Sequence, residues 1–505
     1  MHLKMTQKTL ISFVLYLITC SLCYAQWQQI GSDIDGEFAG DASGRYVSLS
    51  ANGTSVAVGA PSNSNGQGSS FFGHVRVFEL NSGNWVQKDN DIDGEAIGDF
   101  SGNPVQINAD GSVVAIGAFN NEGNGRNAGH VRVFEFNSGN WIQKGSDIDG
   151  EFAEDKSGSA LALNNNGNIV AIGAALNNGN GVASGHVRIF EFINGSWVQI
   201  GSDIDGENQF DNSGASVSLN STGNIVAIGA PRNGGNGTNA GHVRVYEFTG
   251  GNWIQKGTDI DGETVGDLSG ESISLNENGT VIAIGAIDND GNGINQVGHV
   301  RVYEFNDTDW SQKGNDIDGE FEGDLSGGAV DLNGDGNIVA IGANANDGNG
   351  SLSGHVRVFQ FSNGNWVQID SDIDGENALD RFGTSVSISH DGGTVAIGAP
   401  ANAGNGQNAG HVRVFNNASV LSASTISFLD DDISFYPNPT YGKINIQSKK
   451  SIPITSINLI DIQGRILETH NLNCSSCLVD MSNKGFYYLK LNTTRGTVVK
   501  KIIIK

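Results

Sequence analysis

One pentapeptide, Asp-Ile-Asp-Gly-Glu, occurs seven times without a change, at intervals of 56 to 58 residues. The tetrapeptide Gly-His-Val-Arg and all seven tryptophans recur at the same interval. A fixed period of this length is typical of an array in which one small structural unit is repeated. The repeats therefore constrain the fold of most of the chain. The pentapeptides begin at Asp33, Asp91, Asp147, Asp203, Asp259, Asp316 and Asp372.

The fourth repeat indicates the strands from which one unit is built. Residues 215–219 alternate between apolar and polar side chains, which is the pattern of a half-buried strand. A tight turn leads to the apolar segment 225–229, and two further segments, 242–248 and 253–256, are separated by another short turn. Four short antiparallel strands per repeat are the content of one blade of a β-propeller.

The two ends of the array complement each other. Residues 27–30 read as a fourth strand with no first three strands before it, and residues 410–415 read as a third strand with no fourth strand after it. The N-terminal strand would complete the last repeat and remove the sheet edges that an open array exposes. For residues 26–415 the sequence therefore predicts an all-β fold, a seven-bladed β-propeller closed by the N-terminal strand.

Charge and hydropathy exclude two classes of partner. The 505 residues carry a net charge of −27, which would repel the phosphates of a nucleic acid. The apolar run at 10–22 is too short to span a bilayer, and no other stretch is long and apolar enough to do so. We therefore expect no nucleic-acid partner and no membrane insertion of the mature chain.

The same quantities mark the segment boundaries. Lys4 and Lys8 precede the apolar run, and Ala25 is a small residue suited to cleavage, which is typical of an export signal. From Leu421 onward the chain has 10 basic and 6 acidic side chains, and its short β patterns predict a small C-terminal β-sandwich. The predicted segments are a signal peptide at 1–25, the propeller at 26–415, a linker at 416–432 and the sandwich at 433–505.

The seventh repeat resembles the FG-GAP repeat, the blade of the integrin α-subunit propeller. Phe382-Gly383, Gly398-Ala399-Pro400 and the segment 410–415 follow the family signature in order. The resemblance implies Ca²⁺ in the turn between the first two strands of a blade. In the sixth repeat, Ile338 stands at the last ligand position of that turn and has no oxygen to offer. The best candidate calcium ligands there are Asp331, Asn333 and Asp335.

The tail is similar to the type A sorting domain that the type IX secretion system of Bacteroidetes-like bacteria recognises. The resemblance rests on the segments 436–442, 460–465, 485–490 and 501–505. It implies export across the outer membrane and release or attachment at the surface, with the secretion machinery as partner. In an oxidising compartment Cys474 and Cys477 are expected to form a local disulfide or to remain idle thiols. The expected signal residues are Pro437, Asn438, Pro439, Gly442, Gly464, Arg465, Gly485 and Lys505.

Each pentapeptide and the turn after it bring four acidic side chains to the end of the sheet that carries the long loops. Carboxylate oxygens favour Ca²⁺, so one interpretation is a calcium-dependent binding face for a glycan or a surface protein. The alternatives are structural loops in which aspartates cap turns, or one specialised pocket that differs from the other repeats. Representative candidate binding residues are Asp33, Asp35, Glu37, Asp41, Asp91, Asp93, Glu95, Asp99, Asp259, Asp261, Glu263 and Asp267.

Histidine and arginine also recur once per repeat. The seven histidines from His74 to His411 begin an apolar strand, so we interpret them as packed and hydrogen-bonded rather than as metal ligands. The arginines two positions later are predicted to pair with loop aspartates. His390 is the one titratable base of the mature array that has no counterpart in the other repeats.

The chain lacks the sequence motifs of a nucleophile elbow, a zinc protease or a phosphate-binding loop. We therefore expect an exported cell-surface or secreted binding or adhesion module and not an enzyme. One alternative is a surface polysaccharide-active enzyme, a lyase or hydrolase, that uses the central channel on the loop face. Another is a purely structural surface component.

Overall fold

The computed structural model divides into two compact units, Met1–Asn417 and Ala418–Lys505. The predicted signal peptide and most of the predicted linker lie outside the residues that the structure describes. No helix among the described residues has the length and apolar character needed to cross a membrane. The described residues are 26–64, 71–417, 420, 433–436, 440, 442–448, 454–460, 466–480, 485–493 and 496–504.

The first unit contains seven sheets, and each is an antiparallel set of four strands joined by a fifth strand of two residues. The first strands are Tyr46–Leu49, Val105–Ile107, Ala160–Leu163, Ser216–Leu219, Ser272–Leu275, Ala329–Leu332 and Ser385–Ile388. The second strands are Ser55–Ala60, Val113–Ala118, Ile169–Ala174, Ile225–Ala230, Val281–Ala286, Ile338–Ala343 and Thr394–Ala399. The third strands are His74–Asn81, His130–Asn137, His186–Ile193, His242–Thr249, His299–Phe305, His355–Ser362 and His411–Asn416.

The outer strands carry the tryptophans and the pentapeptides. The fourth strands are Asn84–Gln87, Asn140–Gln143, Ser196–Gln199, Asn252–Gln255, Trp310–Gln312, Asn365–Gln368 and, for the seventh sheet, Gln28–Gln29. The fifth strands are Ile92–Asp93, Ile148–Asp149, Ile204–Asp205, Ile260–Asp261, Ile317–Asp318, Ile373–Asp374 and, for the seventh sheet, Ile34–Asp35. One long loop contains a 3₁₀ turn at Gly291–Gly293. The four strands predicted for each repeat are thus confirmed.

The hydrophobic core lies between neighbouring sheets. Residues of the second strands are almost all buried, because the Val/Ile-Ala-Ile/Val-Gly-Ala pattern is apolar on both faces. Neighbouring sheets approach so closely that a Cβ placed on Gly398 of the seventh sheet would lie 1.9 Å from the carbonyl oxygen of Gly44, which precedes the first sheet. The indole of Trp85 donates to the carbonyl of Ile30 at 2.9 Å, and the other tryptophans repeat this contact between sheets.

The N-terminal segment belongs to the seventh sheet. Gln28 pairs with Asn416 and Ile34 pairs with Val412, both in antiparallel register. Ile34, Val47 and Val412 lie in one buried cluster, which joins the seventh sheet to the first. The first and last repeats of the sequence are therefore in direct contact.

The turns between the first and second strands are linked by seven backbone hydrogen bonds. In each, the N–H of one turn donates to the carbonyl of the next, at 2.8 to 3.3 Å. The seventh bond, from His390 to Ala51, returns to the first turn, so the bonds form a closed cycle. The donor and acceptor pairs are Ala51–Ala109, Ala109–Asn165, Asn165–Ser221, Ser221–Glu277, Glu277–Gly334, Gly334–His390 and His390–Ala51.

The second unit contains two antiparallel sheets that share one core. The first sheet consists of Ile433–Tyr436, Lys443–Ser448 and Ser476–Asp480, and the second of Ile466–Cys474, Ile454–Ile460, Gly485–Thr493 and Gly496–Ile504. Ile444 and Ile446 from the first sheet and Leu489 from the second lie in one buried cluster. Cys474 and Cys477 form a disulfide next to it.

Two of the expected signal residues are described in this second unit. Gly442 is buried just before Lys443–Ser448, and Gly485 begins a strand. The remaining expected signal residues lie outside the described residues, and they are Pro437, Asn438, Pro439, Gly464, Arg465 and Lys505.

Candidate functional site

At the loop end of the sheets, the two aspartates, the isoleucine and the glutamate of the pentapeptide each have a different environment. In the first copy Asp33 accepts a hydrogen bond from the Gln29 amide at 2.6 Å, and Ile34 is buried between the sheets. The Asp35 side chain is exposed, while its backbone pairs with His411. Glu37 reaches toward the next sheet. The same Gln–Asp hydrogen bond recurs in every sheet at 2.6 to 2.7 Å.

A glutamate, a histidine and an aspartate meet at each junction between two sheets. At the first junction Glu37 comes from the pentapeptide of the seventh sheet, whereas His74 and Asp91 belong to the first sheet. The histidine Nδ1 lies 3.9 Å from Glu37 Oε2 and 3.5 Å from Asp91 Oδ2. We call each such trio a junction cluster. Among the described residues, five such trios bring three ligand atoms within 4.8 Å of one another. At the two other junctions His299 lies 3.9 Å from Glu263, and His355 lies 3.9 Å from Glu320 and 3.7 Å from Asp372.

The junction histidines are buried, and at least one ring nitrogen of His74, His242, His299, His355 and His411 has no hydrogen-bond partner. Their exposed fractions are 0 to 2%, and neither ring nitrogen of His74 has a hydrogen-bond partner. Burial lowers the pKa of the His74 imidazole to about 4, because a charged ring would lose its hydration there. Burial likewise lowers the pKa of His130, His186 and His242. The predicted packing is confirmed, but the predicted hydrogen bonding is wrong for His74.

The arginines contact the backbone carbonyl of an aspartate and the carboxylate of a glutamate, which corrects the predicted pairing with aspartate carboxylates. Arg132 donates to the backbone carbonyl of Asp93 at 2.6 Å, and its other terminal nitrogen lies 3.6 Å from Glu95. Six of the seven arginines approach the glutamate of the preceding pentapeptide in this way, at 3.4 to 3.9 Å. The fifth strand pairs with the third, so the backbone carbonyl of Asp93 accepts from the arginine while the aspartate side chain is exposed. The carboxylate partner is thus the glutamate of the junction cluster.

The fourth acid of each repeat is a buried capping residue and not part of an exposed rim. Asp211, with 3% of its surface exposed, accepts hydrogen bonds from the Asn208 backbone N–H and the Asn233 side chain, each at 2.9 Å. Asp41, Asp99 and the equivalent acids repeat these contacts. Only the first, third and fifth residues of the pentapeptide leave their carboxylates near solvent. The same arrangement holds for Asp259, Asp261, Glu263 and Asp267.

The residues proposed for the calcium turn of the sixth repeat have separate partners. Asp331 accepts from the Ile388 backbone at 2.8 Å and from the Ser274 hydroxyl at 2.9 Å, so its carboxylate is directed at the neighbouring sheets. Asn333 uses its side-chain oxygen to accept from the backbone of its own turn, at Asn337 and Ile338. Asp335 is exposed. Burial raises the pKa of Asp331 to about 6.

A set of exposed apolar side chains follows the pentapeptides. Each lies within three residues of a pentapeptide glutamate, so every sheet presents one large apolar group beside its exposed acids. Their exposed fractions range from 47% for Phe38 to 69% for Val265. The position varies by one or two residues between repeats, which hid the pattern in the sequence. The set, which we call the apolar set, is Phe38, Ile97, Phe152, Phe210, Val265, Phe321 and Leu379.

Three unlike side chains meet at the opposite end of the sheets, among the turns of the hydrogen-bonded cycle. His390 Nδ1 lies 3.5 Å from Glu277 Oε2, and the Asn165 amide donates to Glu277 Oε1 at 3.0 Å. Gly334 makes this possible, because a Cβ there would lie 2.0 Å from His390 Nδ1. A cavity of about 160 Å³ is lined by all three side chains and by residues from the first strands of all seven sheets. We call this trio the channel cluster.

Comparison with known proteins identifies two parts of the chain. Residues 434–505 match the family described as secretion system C-terminal sorting domain, and residues 373–415 match the FG-GAP repeat. The chain is thus an exported all-β repeat protein with a cell-surface or secreted location. More particularly, it carries an FG-GAP repeat and a type IX sorting domain, which implies interaction with the type IX secretion machinery.

Other comparisons add little. No curated protein matches the chain. A crystal structure of a putative 6-phosphogluconolactonase from Bacteroides uniformis ATCC 8492 is 10% identical, with a TM-score of 0.43, over 66% of this chain and 85% of that one. At this level of similarity we draw nothing from it.

Proposed function

We propose that the chain is a cell-surface or secreted binding module, not an enzyme, built on a seven-bladed β-propeller that its N-terminal strand closes. The closed cycle of seven backbone hydrogen bonds supports the ring, as does the cavity that all seven first strands line. The pairing of Gln28 with Asn416 supports closure by the N-terminal strand.

The apolar set carries the proposal of binding. Large apolar side chains that are about half exposed or more recur once on every sheet at the loop end, and a surface that groups such side chains is suited to binding a partner. Each lies in a turn with exposed carboxylates, so the face offers seven similar contacts of mixed apolar and acidic character. A repetitive surface partner, such as a glycan or an arrayed surface protein, would engage several of these contacts at once and gain avidity.

Calcium is the cation that we propose for this face. The second aspartates, such as Asp35, Asp93 and Asp261, are exposed and present oxygen ligands, which Ca²⁺ prefers. An ion held there would bridge the acidic face to hydroxyl or carboxylate groups of the partner. Binding that is lost in chelator and restored by Ca²⁺ would support this role, and binding that is indifferent to both would contradict it.

A matched pair of variants tests the binding face. Replacing Phe38, Phe152, Phe210 and Phe321 by serine removes four members of the apolar set. The control replaces four apolar residues of the fourth strands that are 45 to 55% exposed, Val86, Val198, Ile254 and Val367, by serine. On a glycan array and on whole cells of the producing organism, we expect at least a tenfold loss of binding for the first variant only, because multivalent contacts are lost together. Equal binding by both variants would contradict the proposal.

The channel cluster favours one second candidate, an enzyme acting on surface polysaccharides. His390 and Glu277 are unlike groups that lie 3.5 Å apart and occur together once, which is the arrangement expected of a catalytic acid–base pair. In this case the site would lie at the turn end of the channel and not on the loop face. Turnover of polysaccharides that is abolished by His390→Gln would favour the enzyme, and its absence over a broad substrate panel would favour the binding module.

A further inference from the structure

The His74 imidazole is buried without a hydrogen-bond partner. It is fully buried, and neither ring nitrogen makes a hydrogen bond. Nδ1 is directed at two carboxylates at 3.5 and 3.9 Å, which is too long for a direct hydrogen bond to either. A buried polar group without a partner calls for an explanation, and a bound ion is one.

Similar distances between histidine and carboxylate recur around the array. His130, His186 and His355 lie 3.9 to 4.0 Å from the glutamate and 3.7 to 4.0 Å from the aspartate of their clusters. At the seventh sheet His411 lies 3.6 Å from Asp33, and Glu376 completes the trio. The spacing is thus a property of the repeat and not of one junction.

We propose that each junction cluster binds one divalent transition-metal ion of the zinc type through the histidine Nδ1, one glutamate oxygen and one aspartate oxygen. Metal–ligand bonds of about 2.0–2.1 Å place tetrahedral ligands roughly 3.3 Å apart. The ligand atoms of a cluster lie within 4.8 Å of one another, and the shortest histidine–carboxylate distance is 3.5 Å. Binding an ion therefore needs a contraction of up to about 1.5 Å. Because the glutamate belongs to one sheet and the other two ligands to the next, each ion ties two sheets together.

The ligand chemistry selects the metal. An imidazole nitrogen suits Zn²⁺, Co²⁺ and related ions, whereas Ca²⁺ prefers oxygen ligands only. The orientation of the aspartate ligand is fixed by a second contact, because the glutamine amide holds its other oxygen at 2.6 to 2.7 Å. Such outer contacts are characteristic of metal sites. The ion would also offset two carboxylates that only one arginine otherwise faces.

Two charge-matched variants of the full chain test the proposal. The first removes three cluster carboxylates with Glu151→Gln, Glu207→Gln and Glu263→Gln. The second removes the same number of charges from the same pentapeptides with Asp149→Asn, Asp205→Asn and Asp261→Asn, which are exposed and outside the clusters. After chelation and dialysis, each protein is titrated with Zn²⁺, with Co²⁺ as a spectroscopic probe and with Ca²⁺. Bound metal is counted by elemental analysis.

We expect about seven Zn²⁺ per parent chain, about four in the glutamate variant and about seven in the aspartate variant. Co²⁺ should give visible absorption bands of a four- or five-coordinate site, and Zn²⁺ should raise the Tm of the parent by about 5 °C or more, since it binds only the folded state. Binding of less than one Zn²⁺, or an equal loss in both variants, would overturn the proposal. Ca²⁺ that competes equally for the Co²⁺ sites would also overturn it, and water would then be assigned to the space between the histidine and the carboxylates.

Discussion

At the loop end of the sheets the same glutamate, histidine and aspartate recur at every junction, whereas at the turn end three different side chains meet once. The junction clusters lie between pairs of sheets, and each takes its ligand atoms from both. The channel cluster joins Asn165, Glu277 and His390 across the cavity that all sheets share. Groups that repeat with the fold act in its assembly or in multivalent contact, whereas a trio that occurs once suits one small ligand.

The largest expected difference between the two ends is how far their histidines lower the free energy of unfolding in acid. Folding keeps the junction histidines neutral, with the pKa of His74 at about 4, while an unfolded chain binds protons below about 6.5. The unfolded state therefore binds more protons as the pH falls from 6.5 to 4, and stability is lost over that range. His74 alone would account for a loss of about 3 kcal/mol in the free energy of unfolding.

Urea unfolding in chelator at pH 7, 5.5 and 4 measures this loss, because no bound metal then contributes. His74→Gln should lessen the dependence on pH, and His390→Gln, at the channel cluster, serves as the matched control. A free energy of unfolding that stays constant between pH 7 and 4 would contradict the expectation.

The next effect concerns the buried acids beside the junction clusters. Asp211→Ala would leave the Asn208 N–H and the Asn233 amide without their acceptor, at a cost of about 2–3 kcal/mol in the free energy of unfolding. Asp205→Asn changes an exposed acid of the same repeat and should stay within about 0.5 kcal/mol of the parent. Chemical denaturation of both variants at pH 7 measures the difference. Equal stability would mean that the fourth acid is not a structural cap.

Inside the channel we expect a smaller change in the free energy of unfolding, with stability falling as the pH rises. The pKa of Asp331 is raised to about 6, so the folded chain loses stability as the pH rises from 3.8 to 6 and the unfolded carboxyl ionises first. Asp331→Asn keeps an acceptor for the Ile388 N–H and should stabilise the protein by about 1–2 kcal/mol at pH 7, with no gain at pH 3.5. Melting curves of the parent and the variant at the two pH values measure this gain in stability. An equal gain at both would show that ionisation of Asp331 is not its cause.

The smallest change in stability is expected at the channel cluster itself. Glu277 and His390 are both more than a third exposed, so Glu277→Gln should alter the free energy of unfolding by less than about 1 kcal/mol. The informative measurement is ligand binding to the cavity, which a fragment screen by nuclear magnetic resonance detects. Gly334→Ala is the companion variant, because its Cβ would displace His390 without removing a charge. A loss of stability as large as that of Asp211→Ala would show that the trio is structural.

The sequence predicted the repeated strands because their apolar alternation and tryptophans recur at a constant interval. It did not predict the junction clusters, since Glu37 reaches a histidine of the next sheet and the period alone does not say which sheets exchange side chains. Asp41 and Asp211 looked like exposed acids, yet the turn folds them inward onto backbone N–H groups. The channel cluster was equally hidden, because Asn165 and Glu277 are 112 residues apart and meet only through the ring of turns.

The antiparallel pairing of Gln28 with Asn416 constrains the order in which the chain can be made and folded. The seventh sheet cannot be finished until residue 416 has left the ribosome, although its outer strand was among the first segments made. Contacts so distant in sequence form slowly, and an unfinished sheet exposes edges that can pair with other chains. A product truncated before the seventh repeat would lack a partner for its first strand. Because its outer strand pairs with residue 416, the seventh sheet stays incomplete until nearly all of the first unit has been made.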